Sequence, residues 1–202
     1  DLRSPMASMK MLLNTIMMSV EKDKIDPDIF DMLEMSNKTS EEVFSLLDNL
    51  LKWTKSQLGK LTVIPQKLDI SGLADGVVEV MNSVAEVKHI KLIRTDHESF
   101  FVYVDIEMIK SILRNLISNA VKFSNPDSEI KVGIKAEDGK VIVSVTDSGK
   151  GIKKEDQHKL LKDSTHFTTY GTNSEEGSGL GLLLCRDFAR KNGGELWFPK
   201  KI

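Results

Sequence analysis

Two units of different architecture are predicted. Residues 1–58 read as an α-helical hairpin that pairs into a dimeric four-helix bundle, and residues 59–202 as an α/β two-layer sandwich with a mixed sheet. Three observations carry that expectation. Apolar residues recur three and four apart through the first 58 residues, the period of helices packed along one seam. From about residue 60, short alternating runs typical of strands are interleaved with helical stripes. These strands and helices follow no strict βαβ repeat, so a mixed sheet with helices on one face is the simplest arrangement.

The first helix carries Leu2, Met6, Met9, Leu13, Ile16 and Val20 in a heptad seam. Its methionines, at this spacing, read as core rather than as a special binding surface. After the polar break EKDKIDPD, Asp26 is a natural N-cap and Pro27 a natural first helical residue. The second helix repeats the pattern with Phe30, Leu33, Asn37, Ser40, Phe44, Leu47 and Leu51, widened by Val43, Leu46, Leu50 and Trp53. Two helices alone do not cover so wide a stripe, so a second copy is expected to cover it, with Asn37 fixing register. Farther on, LTVIPQKLD reads as a strand, SGLADGVVEVMNSVAEV as a helix capped by Ser71, and IKLIRT and FFVYV as short strands. IKVGIKAEDGKVIVSVTD reads as a hairpin turning at Asp138–Gly139. GLLLCRDFARKNGG reads as a helix closing on Lys191 and a glycine pair, and ELWF as a last strand.

With 28 basic and 30 acidic side chains and a net charge of −2, bulk charge points to neither nucleic acid nor a membrane surface. The single cysteine, Cys185, excludes an internal disulfide and reads as a small buried hydrophobe. No run of about 18 apolar residues marks a membrane span. A cytoplasmic chain is expected, anchored in the inner membrane only through segments outside it. The chain opens on DLRSP, with no initiator methionine or leader, and reads as part of something longer.

The chemistry is concentrated in three later stretches. RNLISNAVKF reads as helix, yet holds Asn115, Asn119 and Lys122. Asparagine is a mediocre helix former, because its amide competes for backbone hydrogen bonds. Spaced four and three apart, the three fall within about 60° on one edge, beside the core stripe of Ile109, Ile112, Leu113, Leu116 and Ala120. VIVSVTDSGKGI sets Asp147 at the end of an apolar strand, where a carboxylate accepts but does not donate hydrogen bonds. That suits the exocyclic amino group of adenine and opposes the carbonyl of guanine, while Gly149 and Gly151 let backbone pass close beneath a flat ring. GTNSEEGSGLGLLLC puts Gly177, Gly179 and Gly181 at a helix start, where amide groups stripped of side chains favour phosphate. Each stretch alone has an ordinary explanation: solvated amides, a common turn, a glycine-rich loop. Together, and in this order, they match the parts of ATP.

On these stretches, the chain from residue 1 to about 198 resembles the core of a bacterial sensor histidine kinase. NLISNAVKF is similar to the family's N box, DSGKGI to its first glycine box and GSGLGL to its second, with HFTTYGTN as the lid anchored by Phe167. The resemblance implies an ATP-binding fold of the gyrase, Hsp90, histidine kinase and MutL class (GHKL) behind a hairpin for dimerisation and histidine phosphotransfer. It implies ATP and Mg²⁺ as cofactors, with Asn119 as metal ligand and Asn115 supporting the phosphate side. Lys122 would contact the phosphates, Phe123 and Ile152 would flank the adenine, and Asp147 would bind its amino group. Gly149 and Gly151 belong to the first glycine box. Gly177, Gly179, Leu180 and Gly181 would line the phosphate side.

DLRSP is similar to the family's H box without its first residue, so the acceptor histidine is expected immediately before Asp1. None of the 4 histidines fits that pattern; His97, for instance, is followed by ESFF. By resemblance, Asp1 would orient or deprotonate the acceptor imidazole. Ser4 stands where threonine or asparagine is commoner in a position that helps hydrolyse the phosphorylated partner. Pro5 would kink its helix. The expected partners are a second copy of the chain, through the hairpin, and a receiver domain that accepts the phosphoryl group on aspartate. After ELWF the family usually adds a turn and another strand, whereas PKKI ends the chain, so an early stop or a different sheet edge is expected. Two other readings remain open: an ATPase of the same fold class that drives conformational change, and a non-catalytic dimerisation module.

Overall fold

The computed structural model describes residues 3–21, 24–153, 156–157, 160, 171–172 and 179–199. The chain divides into two compact units, Asp1–Leu61 and Thr62–Ile202.

The first unit is a helical hairpin of α1 (Arg3–Ser19) packed on α2 (Pro27–Gln57). Asp26 caps α2, its carboxylate accepting from the Asp28 amide at 2.9 Å, and Pro27 follows at the first turn, where its missing N–H is harmless. The expected seam of α2 holds: Phe30, Leu33, Asn37, Ser40, Phe44, Leu47 and Leu51 are among its less exposed residues, while the flanking Val43, Leu46 and Leu50 are exposed. Of the expected α1 seam, Met6 and Leu13 are sheltered, as is Val20 just beyond the helix, and Lys10, Asn14 and Met17 join them, so the sheltered face is turned partly away from the expected one. Met9 and Ile16, 44% and 41% exposed, lie outside it. Lys10 takes part because its aliphatic stem packs while its ammonium reaches Glu41 at 3.3 Å and lies 5.7 Å from the Phe44 ring centre. Two methionines of the first helix, Met11 and Met18, are exposed rather than in the core in the single chain, as are Met32 and Met35 on α2. Pro5 falls in the first turn of the described helix, and the residues before Arg3 lie outside the described ones.

The second unit runs β1 (Gln66–Asp69), α3 (Ile70–Glu86), β2 (Lys91–Arg94), β3 (Phe101–Val104), α4 (Ile106–Phe123), β4 (Glu129–Glu137), β5 (Lys140–Thr146) and α5 (Gly181–Lys191). The expected mixed sheet is present. β4 lies between β2, which is parallel to it, and β5, which is antiparallel, while β1 and β3 pair antiparallel as a separate ribbon. Along β4, Ile130, Val132 and Ile134 point inward at 0–2% exposure, as the two-residue period of a strand requires. They pack against Ala74, Val77 and Met81 of α3 and Leu113 and Ile117 of α4. The turn between β4 and β5 is the predicted one: Glu137 faces Lys140, with φ of 50° at Asp138 and 73° at Gly139. Two positive φ values are what a tight primed turn requires.

Three sequence expectations are corrected. Of LTVIPQKLD, only the last four residues form a strand; Pro65 offers no N–H to a ladder. Asp69, not Ser71, caps α3, because its carboxylate reaches the Ser71 amide at 3.1 Å. Ser71 is buried, and its hydroxyl donates to the Glu98 carbonyl instead. ELWF is no strand: residues 194–199 have no ladder to any strand among the described residues, and a strand exists by its neighbour. No helix among the described residues is long and apolar enough to cross a membrane.

Candidate functional site

The centre of the site is α4. Asp105 caps it, accepting from the Met108 amide at 3.0 Å, and the same carboxylate accepts from the Ile64 amide at 2.9 Å. The Asp105 amide donates to the Asn192 side-chain oxygen at 2.7 Å, which ties the start of α4 to the end of α5. Leu113, Ile117, Ala120 and Val121 are buried, which leaves Asn115, Asn119, Lys122 and Phe123 half-buried. The helical period puts the two asparagines and the lysine along one edge, as the spacing predicts.

Two glycines let other elements close on that helix. A Cβ on Gly181, at the start of α5, would stand 2.9 Å from the Asn115 side-chain oxygen. The Asn115 amide nitrogen donates to the Ser111 carbonyl at 2.9 Å, which orients the oxygen. A Cβ on Gly149 would overlap the Phe123 carbonyl and meet an Asp147 carboxylate oxygen. Only glycine permits that approach. The turn is held by the Gly149 amide donating to Asp147 at 2.9 Å and the Lys150 amide donating to the Phe123 carbonyl at 3.3 Å. The ammonium groups of Lys150 and Lys122 lie 4.8 and 5.1 Å from the Phe123 ring centre.

The structure thus gathers Asn115 with Gly181, and Phe123 with Lys122, Asp147 and Gly149. Gly151 and Gly179, with φ of 66° and 67°, mark backbone turns, and Leu180 is the buried N-cap position of α5, whose side chain makes no capping hydrogen bond. Ile152 is 40% exposed, its carbonyl accepting from the Gln157 amide group at 3.1 Å. Ser4 lies exposed on α1, its carbonyl accepting from the Ser8 hydroxyl. Asp1, Gly177 and Phe167 lie outside the described residues, as do His158 and His166. Among the described residues, no cluster of three or more His, Cys, Asp or Glu could hold a metal. The side-chain amide oxygen of Asn119 is a hard donor of the kind that would suit Mg²⁺.

Two residues went unnoticed in the sequence. Lys88 is 7% exposed, and its ammonium reaches the carbonyls of Val121 and Lys122 and the Thr172 hydroxyl at 2.9–3.2 Å. Thr172 in turn bonds Lys122 and Ser124. A lysine ending an amphipathic helix reads as solvated, and no periodicity marks a contact across 84 residues.

Comparison with known proteins agrees with this geometry. Residues 104–202 match the family Histidine kinase-, DNA gyrase B-, and HSP90-like ATPase. The Adaptive-response sensory kinase SasA of Crocosphaera subtropica is 31% identical over 98% of this chain, which spans 52% of that relative. Sensor protein EvgS of Escherichia coli K12 is 28% identical over 82% of this chain and 14% of its own length. The catalytic domain of histidine kinase ThkA superposes with a TM-score of 0.57 at 29% identity, covering 66% of this chain and 86% of that one. Full-length ShkA in complex with AMPPNP shares the fold, with a TM-score of 0.65 at 21% identity over 94% of this chain and 41% of that one. The chain spans about half the length of the SasA relatives it matches. Residues 104–202 thus belong to the histidine kinase-, DNA gyrase B- and HSP90-like ATPase family, and the chain as a whole is similar to the core of sensor histidine kinases.

Proposed function

We propose that the chain binds Mg²⁺-ATP against α4 and transfers the γ-phosphoryl group to a histidine next to Asp1, from which it passes to an aspartate of a partner receiver domain. The observation that carries this reading is the edge of α4 with Asn115, Asn119, Lys122 and Phe123, closed upon by Gly149 with Asp147 on one side and Gly181 on the other. Asp147 accepts from the adenine amino group, Phe123 and Ile152 flank the ring, and Gly151 continues the turn. Lys122 meets the phosphates, as do the amides around Gly177, Gly179, Leu180 and Gly181, at the positive end of α5. Mg²⁺, held by the Asn119 amide oxygen with phosphate oxygens and water, would neutralise charge on the phosphates.

Catalysis then rests on positioning and electrostatics. The bond from the γ-phosphorus to the ADP oxygen breaks as a bond to imidazole nitrogen forms, and ADP leaves. Asp1 orients the imidazole and takes its proton, Asn115 supports the phosphate side, and Ser4 serves the hydrolysis of the phosphorylated partner. Residues 1–58 form the dimerisation and phosphotransfer domain, and residues 59–202 the catalytic domain. Support for a second copy comes from the wide apolar face that the hairpin leaves exposed, Met11, Leu12, Met18 and Met35 included.

The test is direct. Titration calorimetry should show ATP binding that requires Mg²⁺ for full affinity. A chain carrying histidine before Asp1, incubated with γ-labelled ATP, should acquire acid-labile, base-stable label. Hydrolysis without labelled protein would favour a conformational ATPase, and the absence of nucleotide binding would leave a dimerisation module.

A further inference from the structure

The last four carbonyls of a helix have no partner within it. In α4 the final turn leads into Ser124 in an extended conformation rather than into the usual glycine cap. Its carbonyls are satisfied from a distance. The Lys88 ammonium lies 3.2 Å from the Val121 carbonyl and 3.1 Å from that of Lys122. The Thr172 amide donates to the Lys122 carbonyl at 3.1 Å. The Thr172 hydroxyl has one proton; the Ser124 carbonyl at 2.8 Å takes it, and a lone pair of the same oxygen accepts from Lys88 at 2.9 Å.

Three segments therefore converge on one helical turn: the end of α3, the stretch containing Thr172, and the turn after β5. A cation at this end of a helix is favoured by the macrodipole and by charge-assisted hydrogen bonds. Lys88 can place its ammonium there because the chain reverses at His89, with φ of 55°, while the Ile90 amide bonds the Ala85 carbonyl at 3.0 Å and the His89 amide bonds Glu86 at 2.9 Å. That is the double bond pattern of a Schellman turn.

The turn so held carries Lys122 and Phe123, and Gly149 is pressed on the Phe123 carbonyl with no room to spare. A shift of this turn moves Phe123 and the Asp147–Gly149 loop together. We propose that Lys88 is a positioning residue for nucleotide binding. Through Thr172 and the carbonyls of Val121 and Lys122, it holds the last turn of α4 where Lys122 and Phe123 meet ATP. The inference rests on the ATP-binding reading above and adds to it Lys88, which lies outside its motifs, and a role for Thr172 within the HFTTYGTN stretch.

Calorimetric titration of the full chain with Mg²⁺-ATP, beside thermal melts, tests it. Lys88→Met keeps the stem and removes the charge, and should weaken ATP at least tenfold while the melt stays cooperative. Lys88→Arg should recover most of the affinity. Thr172→Val, close to isosteric, should weaken ATP by a similar factor, and the double variant should be no weaker than the weaker single. Unchanged affinity in Lys88→Met, with only a lowered melting temperature, would reduce Lys88 to a helix cap and overturn the proposal; so would full additivity of the two losses. If Lys88→Met does not fold, Thr172→Val decides, and wild-type affinity there overturns the idea. A wild-type chain that binds no ATP would instead sink the functional reading itself, and this inference with it.

Discussion

Asp147 shows what one side chain is asked to do. Its carboxylate already accepts from the Gly149 amide, which leaves its remaining lone pairs to read a base. Asp147→Asn keeps the shape but replaces one acceptor oxygen with a donor. ATP affinity should fall at least tenfold, about 1.4 kcal/mol or more; an unchanged dissociation constant in calorimetry would remove Asp147 from the site. Cys185 makes a different claim. It is 1% exposed, with its sulfur 3.8 Å from the Ile112 carbonyl, and burial pushes the thiol from 9.0 up to about 12. The fold favours the neutral thiol, so its contribution is complete below pH about 9 and is lost as pH rises toward 12. Between pH 9 and 11, denaturant midpoints of wild type should fall more steeply than those of Cys185→Ala, which is weaker throughout because of the cavity. Equal slopes would refute the assignment.

At the scale of elements, stability depends on how helix ends are finished. Asp105 satisfies the Met108 amide of α4 and the Ile64 amide from the preceding chain, and it is 8% exposed. Asp105→Ala removes an N-cap, typically about 1 kcal/mol, and orphans a second part-buried donor, about 1–3 kcal/mol. A loss of about 2–4 kcal/mol in urea unfolding is expected, and a loss under 1 kcal/mol would mean that water replaces both bonds. The loop after β5 is limited by space instead. Gly149→Ala sets a methyl group on the Phe123 carbonyl, and backbone cannot yield as a flexible side chain can. That substitution should abolish ATP binding, whereas Gly139→Ala, at φ of 73° with open space around it, should lower stability by about 1 kcal/mol and leave ATP affinity intact. Reversal of that order would contradict the site.

At the scale of the whole molecule, the two units differ in how completely they bury their apolar residues. The unit Thr62–Ile202 has a closed core in which Leu113, Ile117, Ile130 and Ile134 are at most 2% exposed. The hairpin leaves Met11, Leu12, Met18, Met32 and Met35 between 64% and 89% exposed. A second copy through the hairpin is therefore the expected state, and light scattering of the chain should give twice the mass of 22.6 kDa. A monomeric mass at micromolar concentration would contradict it.

Periodicity and motif order were legible without coordinates. The α2 seam, the Asp26 cap, the Asp138–Gly139 turn and the shared edge of Asn115, Asn119 and Lys122 all follow from neighbours within a few residues, where helix and strand geometry act locally, and the mixed sheet was read from the order of elements. What needed the folded chain is of another kind. The α1 seam rotated toward Lys10 because Glu41 and Phe44 stand opposite it, ELWF has no strand beside it among the described residues, and Lys88 found its acceptors on α4. Contacts between residues far apart in sequence leave no period behind, so only packing in three dimensions decides them.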